Sequence, residues 1–227
     1  MSHTHSEPVA RRGFLFRLSK ATAALTALLV DPTRLQAASS SGGISGSADP
    51  DAWIAGLKGE QKVMIHAHQY FMTALVDAQN MLANARDKYG VPEAQHSIAV
   101  VTHGPAIQGL FRDEVWQSKA LGTFYKLNDP KTGAPATRNI YLTPQDGEPP
   151  DAAVSPLMKR GVTFVVCNVA LTNLAKRIAP AGTSQDAVHD DLAAGLVPGA
   201  FLVPDVFVSI QRAQKRGVAY IFTDRSR

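Results

Sequence analysis

The chain has 227 residues, 45% of them hydrophobic, with a formal net charge of +4 and a sequence pI near 9.3. This length is enough for one ordinary domain with a real hydrophobic core. The chain has a single cysteine, which cannot form an internal disulfide, so a fold held together by disulfides is excluded.

The first 38 residues are typical of an export signal. Adjacent Arg11 and Arg12 precede an apolar run at 21–30, and small residues follow at 35–40. The paired arginines followed by Phe and Leu resemble the twin-arginine motif, so we expect a periplasmic or otherwise exported protein. Basic residues interrupt the apolar part, which is too short for the about 18 apolar residues that cross a bilayer. We therefore expect cleavage near residue 38 and no stable membrane span afterwards.

Removing this signal changes the charge balance. It carries five of the 23 Lys and Arg residues and two of the 19 acidic residues, which leaves the remainder with a formal charge of +1. The high pI therefore comes mainly from the signal, and we expect no nucleic-acid partner. Residues 39–49 are a Ser/Gly-rich linker, and the domain is predicted to occupy 50–227.

Hydrophobic patterns within the domain alternate between strand and helix. Apolar, β-branched runs predict five strands, at 62–68, 97–104, 162–167, 200–204 and 218–222. Helical spacing predicts helices at 69–90, 152–161, 169–178, 183–195 (starting from a capping-box-like Thr183 and Asp186) and 205–216.

The region between the second strand and the helix at 152–161 is less regular. Residues 105–121 are predicted to be mostly helical, whereas 122–150 are rich in Pro, Gly, Asn and Asp and are predicted to form a long loop or insertion. Strands that alternate with helices imply βαβ units. The predicted fold class is therefore α/β, with a mostly parallel sheet of about five strands covered on both faces.

Histidine and cysteine side chains fall at the carboxyl ends of the predicted strands. His66 and His68 end the first strand, His103 the second and Cys167 the third. In open α/β sheets, ligands bind beyond the carboxyl ends of the strands. A spacing of two also puts His66 and His68 on the same side of their strand. We therefore expect these four residues to share one crevice.

Cys167 has two interpretations. Asn168, a good helix N-cap, follows it, so the sulfur is predicted to lie near a helix N-terminus, where positive charge stabilises a thiolate. Cys167 would then be a nucleophile or sulfur carrier, His103 a nearby proton-transfer or orienting group, and His66, His68 and Asn168 ligand-binding residues. The alternative is that Cys167 is a small buried apolar residue, as free cysteines often are.

Metal and cofactor signals are weak. The histidines and Cys167 are suitable ligands for copper or zinc, but their local spacing matches no zinc or haem motif, so no metal is assigned. Phosphate-binding and nucleophile-elbow motifs are absent from the sequence, and no cofactor is expected.

Several blocks together resemble the DsrE/DsrF-like family, and more narrowly its exported members with a twin-arginine signal. The resemblance covers 60–222 and includes a segment at 121–139 that looks like the insertion of those members. The blocks are HQYFMTALVDAQNML (68–82), VVTHGPAIQGLF (100–111), GVTFVVCNVAL (161–171) and LVPGAFLVPDVFVSIQRAQKRGVAYIF (196–222).

This resemblance implies a three-layer α/β/α domain that assembles as a homo-oligomer, a trimer or a hexamer. It also implies sulfur handling or persulfide transfer through Cys167, with a protein or small molecule as sulfur donor or acceptor. The second cysteine of some sulfur-carrying members is missing. The alternative function is a non-catalytic protein of the same fold that binds a small ligand or copper through His66, His68 and His103.

Overall fold

The computed structural model of the protein describes residues 49–223 and Arg225. Five strands form one sheet in which every neighbouring pair is parallel. The order across the sheet is β4-β3-β2-β1-β5. The strands are β1 (Gln61–Ala67), β2 (His96–Thr102), β3 (Thr163–Cys167), β4 (Phe201–Val203) and β5 (Ala219–Thr223).

Helices flank this sheet in a three-layer α/β/α arrangement, which confirms the predicted fold class. Two short 3-10 helices, Glu93–Gln95 and Gly104–Leu110, lie on either side of β2 in the sequence. The α-helices are α1 (Ala52–Gly56), α2 (Phe71–Tyr89), α3 (Asp113–Ser118), α4 (Leu121–Tyr125), α5 (Val154–Lys159), α6 (Asn168–Ile178), α7 (Gln185–Ala194) and α8 (Val206–Gln214).

The three central strands are almost entirely buried because a parallel sheet is covered on both faces. The apolar stripe predicted for α2 packs into the same core, from Phe71 to Ala85. This helix ends where Gly90 adopts a left-handed conformation, with φ +66°, and its N–H donates to the Ala85 carbonyl. Among the described residues, the largest fully buried side chains are Trp53, Trp116, Phe71, Phe111 and Phe164.

Three predicted elements differ from the structure. The helical segment after β2 is broken: its first part is a 3-10 helix, and Phe111 leaves it to pair with Leu196 in an isolated bridge before α3 begins. The predicted loop at 122–150 starts inside helix α4. Helix α7 is capped by Ser184 rather than Thr183, because the Ser184 hydroxyl accepts a hydrogen bond from the Ala187 N–H at 3.4 Å.

The predicted export signal at 1–38 lies outside the described residues, as does all but the last residue of the linker at 39–49. Within the described part of the chain, no helix is long and apolar enough to cross a membrane.

An ion pair at the start of the domain was not predicted. The Asp51 side chain is buried, and its carboxylate accepts hydrogen bonds from Arg212 Nε at 2.7 Å and from an Arg216 guanidinium nitrogen at 2.7 Å. These contacts tie the residue before α1 to the end of α8. The hydrogen bond from Arg212 lowers the pKa of Asp51 below its ordinary value of 3.8, although burial opposes this shift.

We predict that Asp51→Asn destabilises the domain in a pH-dependent way. The Asp51 pKa is lowered in the folded state, so its contribution is present above the ordinary pKa and is lost as pH falls below it. At neutral pH we expect the melting temperature to fall by about 2–4 °C, the shift that corresponds to about 1 kcal/mol in a domain of this size.

Thermal melts of wild type and Asp51→Asn across the acid range measure this difference. Glu60→Gln, which removes an exposed carboxylate near β1, is the control and should melt like wild type. An Asp51→Asn deficit that stays constant below the ordinary Asp pKa contradicts the prediction.

Candidate functional site

The register of three neighbouring strands places His68, His103 and Cys167 in one row. Thr102 at the end of β2 pairs with Ala67 of β1 and with Val166 of β3. The residues that follow Ala67, Thr102 and Val166 therefore lie side by side at the carboxyl edge of the sheet, where adjacent strands are about 4.8 Å apart. His68 and His103 stand one residue beyond the observed ends of β1 and β2, and Cys167 is the last residue of β3.

A cavity of about 260 Å³ opens at this edge, and we call it the Cys167 cavity. It lies between the strand ends, helix α6 and the start of α8. Phe207 is 56% exposed and covers one side. The lining residues with polar or titratable side chains are His68, His103, Tyr125, Cys167, Asn173, Arg177 and Asp205.

His66 lies below this row and joins two strands by hydrogen bonds. Its Nε2 is 2.9 Å from His103 Nδ1, and its Nδ1 is 2.9 Å from the Tyr220 hydroxyl oxygen on β5. The side chain is only 2% exposed. These contacts form a continuous chain from Tyr220 through His66 to His103, which lines the cavity. Burial raises the pKa of Tyr220, so its hydroxyl stays protonated at neutral pH.

Aromatic contacts fix the orientation of the His103 ring. The His68 ring stacks on it with centroids 4.3 Å apart and an interplanar angle of 19°. Phe207 approaches it edge-on, with centroids 4.9 Å apart. Together with the hydrogen bond to His66, these contacts hold one face, one edge and one nitrogen of the His103 ring.

Cys167 is the N-cap residue of α6, so its position relative to the helix is close to the predicted one. Helix α6 has 11 residues, enough for a dipole that favours negative charge at its first turn. Cys167 is only 3% exposed, yet it lines the cavity. A reagent must therefore enter the cavity to reach the sulfur.

Asn168 does not lie with the other predicted site residues. It is the first residue of α6, and its side-chain Oδ1 is 2.8 Å from His189 Nε2 on α7. The Asn168 carbonyl accepts a hydrogen bond from Thr172 Oγ1 at 2.9 Å. The side chain is thus engaged in packing α6 against α7 and does not line the Cys167 cavity.

The cavity residues missed by the sequence analysis include Tyr125, Asn173, Arg177, Asp205 and Phe207. Burial raises the pKa of Tyr125 to about 12, so its hydroxyl is a hydrogen-bond donor at neutral pH. Asp205 had a local signal, because an Asp before an apolar helix is a common N-cap. Its Oδ1 accepts from the N–H groups of Phe207 and Val208, at 2.7 Å and 3.3 Å.

The histidines do not form a metal site in this arrangement. Among the described residues, no three His, Cys, Asp or Glu side chains are grouped so that they could hold a metal ion. His66 and His103 direct two nitrogens at each other at hydrogen-bond distance. Since a ligand nitrogen lies about 2.0–2.1 Å from zinc, an ion between these two nitrogens would require the rings to move apart.

No protein-family model matches the chain, and no curated protein matches it. Among solved structures, a protein of unknown function from Methanobacterium thermoautotrophicum is similar at 17% sequence identity and a TM-score of 0.40. The match covers 72% of this chain and 99% of that chain.

We predict that Gly104→Ala disturbs the row of histidines. Gly104 has φ +56°, and an added Cβ would lie 2.6 Å from His68 Nε2. The left-handed backbone alone should cost about 1–2 kcal/mol, and the contact should also push His68 off the His103 ring. Histidine ring signals in NMR spectra, recorded beside thermal melts, measure the two effects.

Gly133→Ala is the matched control. Gly133 has φ +70°, but no heavy atom lies within 4 Å of an added Cβ. It should therefore lose only the stability that the left-handed backbone costs, and it should leave the histidine signals unchanged. Identical histidine spectra for both variants would contradict the predicted contact.

Proposed function

We propose that this protein accepts and passes on sulfane sulfur, with Cys167 as the carrier. The observation that carries this proposal is that Cys167, His103 and His68 line one small cavity at the carboxyl edge of the sheet. The resemblance to the DsrE/DsrF-like family supports the same chemistry. The twin-arginine-like segment supports a location outside the cytoplasm, where a small molecule or a protein would supply or receive the sulfur.

The proposed reaction exchanges one sulfur–sulfur bond for another. The Cys167 thiolate attacks the terminal sulfur of a persulfide R–S–SH. A new S–S bond forms on Cys167, the S–S bond of the donor breaks, and R–S⁻ leaves with the electron pair. The thiol proton of Cys167 goes to His103, and a proton then returns to R–S⁻. The products are Cys167–S–SH and R–SH, with no external oxidant or reductant.

In this proposal His103 is the proton acceptor, and the hydrogen-bonded chain behind it sets its tautomer. For His103 to accept this proton on Nε2, its Nδ1 must carry the hydrogen and donate to His66 Nε2, and His66 Nδ1–H then donates to the Tyr220 oxygen. In the opposite order, with Tyr220 as the donor, His103 Nε2 would already carry a hydrogen and could not accept the proton. A proton gained by His103 therefore has a path through His66 towards Tyr220 on the edge strand.

The burial of Cys167 favours a second candidate, a non-catalytic protein that binds a small ligand in the same cavity. At 3% exposure the thiol fits the role of a buried apolar residue. The two candidates differ in one result: only the carrier gains sulfur on Cys167 in the folded state.

We predict that the native protein gains about 32 Da, one sulfur atom, on Cys167 when mixed with a low-molecular-weight persulfide. Cys167→Ser should abolish the gain and leave the fold intact, because the two side chains are nearly isosteric. His103→Asn should slow the gain roughly a hundredfold, as expected for loss of a general base. Intact-protein mass spectrometry over time gives both results.

His96→Asn is the control for His103→Asn. His96 lies on the same strand at its amino end, away from the Cys167 cavity, and its replacement should leave the rate unchanged. A folded wild-type protein that gains no sulfur, or that reacts only after unfolding, would rule out the carrier and leave the ligand-binding candidate.

We further propose that the protein is a homo-oligomer. The family resemblance implies a trimer or a hexamer. Strand β5 is at the edge of the sheet, and four of its five residues are exposed. They include Ile221 and Phe222, 38% and 54% exposed, and Val208 on α8 is 53% exposed. Exposed apolar residues on an edge strand favour association with a second copy.

Ile221→Lys should shift the protein towards the monomer, because it places a charge in the proposed interface. Light scattering at micromolar concentration measures the mass. Tyr89→Lys is the control, since Tyr89 is 81% exposed but lies at the end of α2. An interface at β5 is contradicted if wild type has the mass of a monomer, or if Ile221→Lys and Tyr89→Lys change the mass equally.

A further inference from the structure

The Cys167 cavity extends along helix α6 rather than lying only around the thiol. Ala170, Asn173, Leu174 and Arg177 line it at helical spacing and form one stripe. Cys167 stands at one end of this stripe and Arg177 at the other. A ligand that touches both ends must be elongated.

Arg177 supplies the positive charge of the cavity. Among the described residues that line it, Arg177 is the only Lys or Arg. Its guanidinium carbon lies 4.8 Å from the centroid of the Phe124 ring, which packs against the core and holds the group in place. Within the described residues, no ion pair joins Arg177 to a carboxylate. Its charge is therefore available to a ligand, and a carboxylate matches its paired N–H donors.

The opposite charge lies near the thiol end. Asp205 follows β4, whose last residue, Val203, pairs with Cys167. One oxygen of the Asp205 carboxylate caps α8, and the residue lines the cavity. A compact anion held beside Cys167 would face this negative charge, whereas an anionic group near Arg177 would not.

Helix geometry gives the distance between the two ends. Cys167 and Arg177 are ten positions apart, so their Cα atoms are about 15 Å apart along the helix. Long side chains on a helix generally point back towards its N-terminus, and on that basis the span between guanidinium and sulfur is on the order of 10 Å. A single amino-acid thiol is too short for this span, and a short peptide thiol is long enough.

We infer that the Cys167 cavity binds an extended, low-molecular-weight peptide thiol, with its sulfur at Cys167 and a terminal carboxylate on Arg177. The inference rests on the proposed function in one respect: the persulfide of such a thiol would be the sulfur donor to Cys167. The volume of about 260 Å³ and the burial of Cys167 fit a small donor that enters the cavity.

Calorimetric titration with S-methylglutathione, a stable mimic of such a thiol, tests the ligand class without any sulfur transfer. Arg177→Gln should weaken binding roughly ten- to hundredfold, as expected for loss of a charge-assisted hydrogen-bonded pair. Arg177→Lys should restore part of the affinity. Lys176→Gln removes the neighbouring exposed cation, which does not line the cavity, and should bind like wild type.

Two further probes test the role of the carboxylate and the length of the ligand. The diester of S-methylglutathione should bind wild type as weakly as the free acid binds Arg177→Gln. S-Methylcysteine is too short, so its affinity should be the same for wild type and Arg177→Gln. Equal binding of the acid to Arg177→Gln and Lys176→Gln, or equal binding of the short and long probes to wild type, overturns the inference.

The sulfur step is measured separately with glutathione persulfide. If wild-type Cys167 gains sulfur, and Arg177→Gln binds the ligand and gains sulfur just as wild type does, the ligand class is wrong and the proposed function stands. If binding depends on Arg177 but Cys167 gains no sulfur, the ligand class stands and the carrier function is wrong.

Discussion

The parallel register of β1, β2 and β3 is the constraint on which the site depends. Thr102 pairs at once with Ala67 and Val166, so the residues that follow come to the same edge of the sheet. A slip of one residue between β1 and β2 would move His68 away from His103 and turn the His66 side chain to the other face. The apolar burial of all three strands opposes such a slip. The core therefore maintains the geometry of a site at its edge.

His66 imposes a second constraint, because a buried imidazole is costly unless its nitrogens are hydrogen-bonded. Its hydrogen-bond partners include His103, just beyond β2, and Tyr220 on β5. The edge strand is therefore coupled to the cavity through one side chain. Contacts of a second copy at β5 would reach His103 by the same path. This coupling links the proposed assembly to the proposed chemistry without requiring a residue from the partner in the cavity.

The sequence predicted the parts of the molecule that depend on local pattern. Alternating strands and helices predicted the α/β class, and the strand ends predicted a shared crevice for four residues. His68, His103 and Cys167 line the cavity, whereas His66 does not line it and contacts His103 instead. The unpredicted contacts are long-range: in the site Tyr220 meets His66 across 154 positions, and elsewhere in the fold Arg212 meets Asp51 across 161. Asn168 shows the limit of a local signal. Because β3 runs directly into α6, Cys167 occupies the N-cap position, and Asn168 turns to His189.

The burial of Cys167 determines how such a carrier would have to work. The thiolate must form at a sulfur that is only 3% exposed, and burying a charge is costly unless it is paired. The dipole of α6 offsets part of the cost, and a nearby imidazolium would offset more, since the pair is neutral overall. We therefore expect the proton to remain on His103 until the Cys167 sulfur has bonded to the donor sulfur. The leaving thiolate R–S⁻ then takes that proton, and the charge separation ends. In this scheme the chain through His66 and Tyr220 acts mainly to hold His103 in the tautomer that accepts the proton.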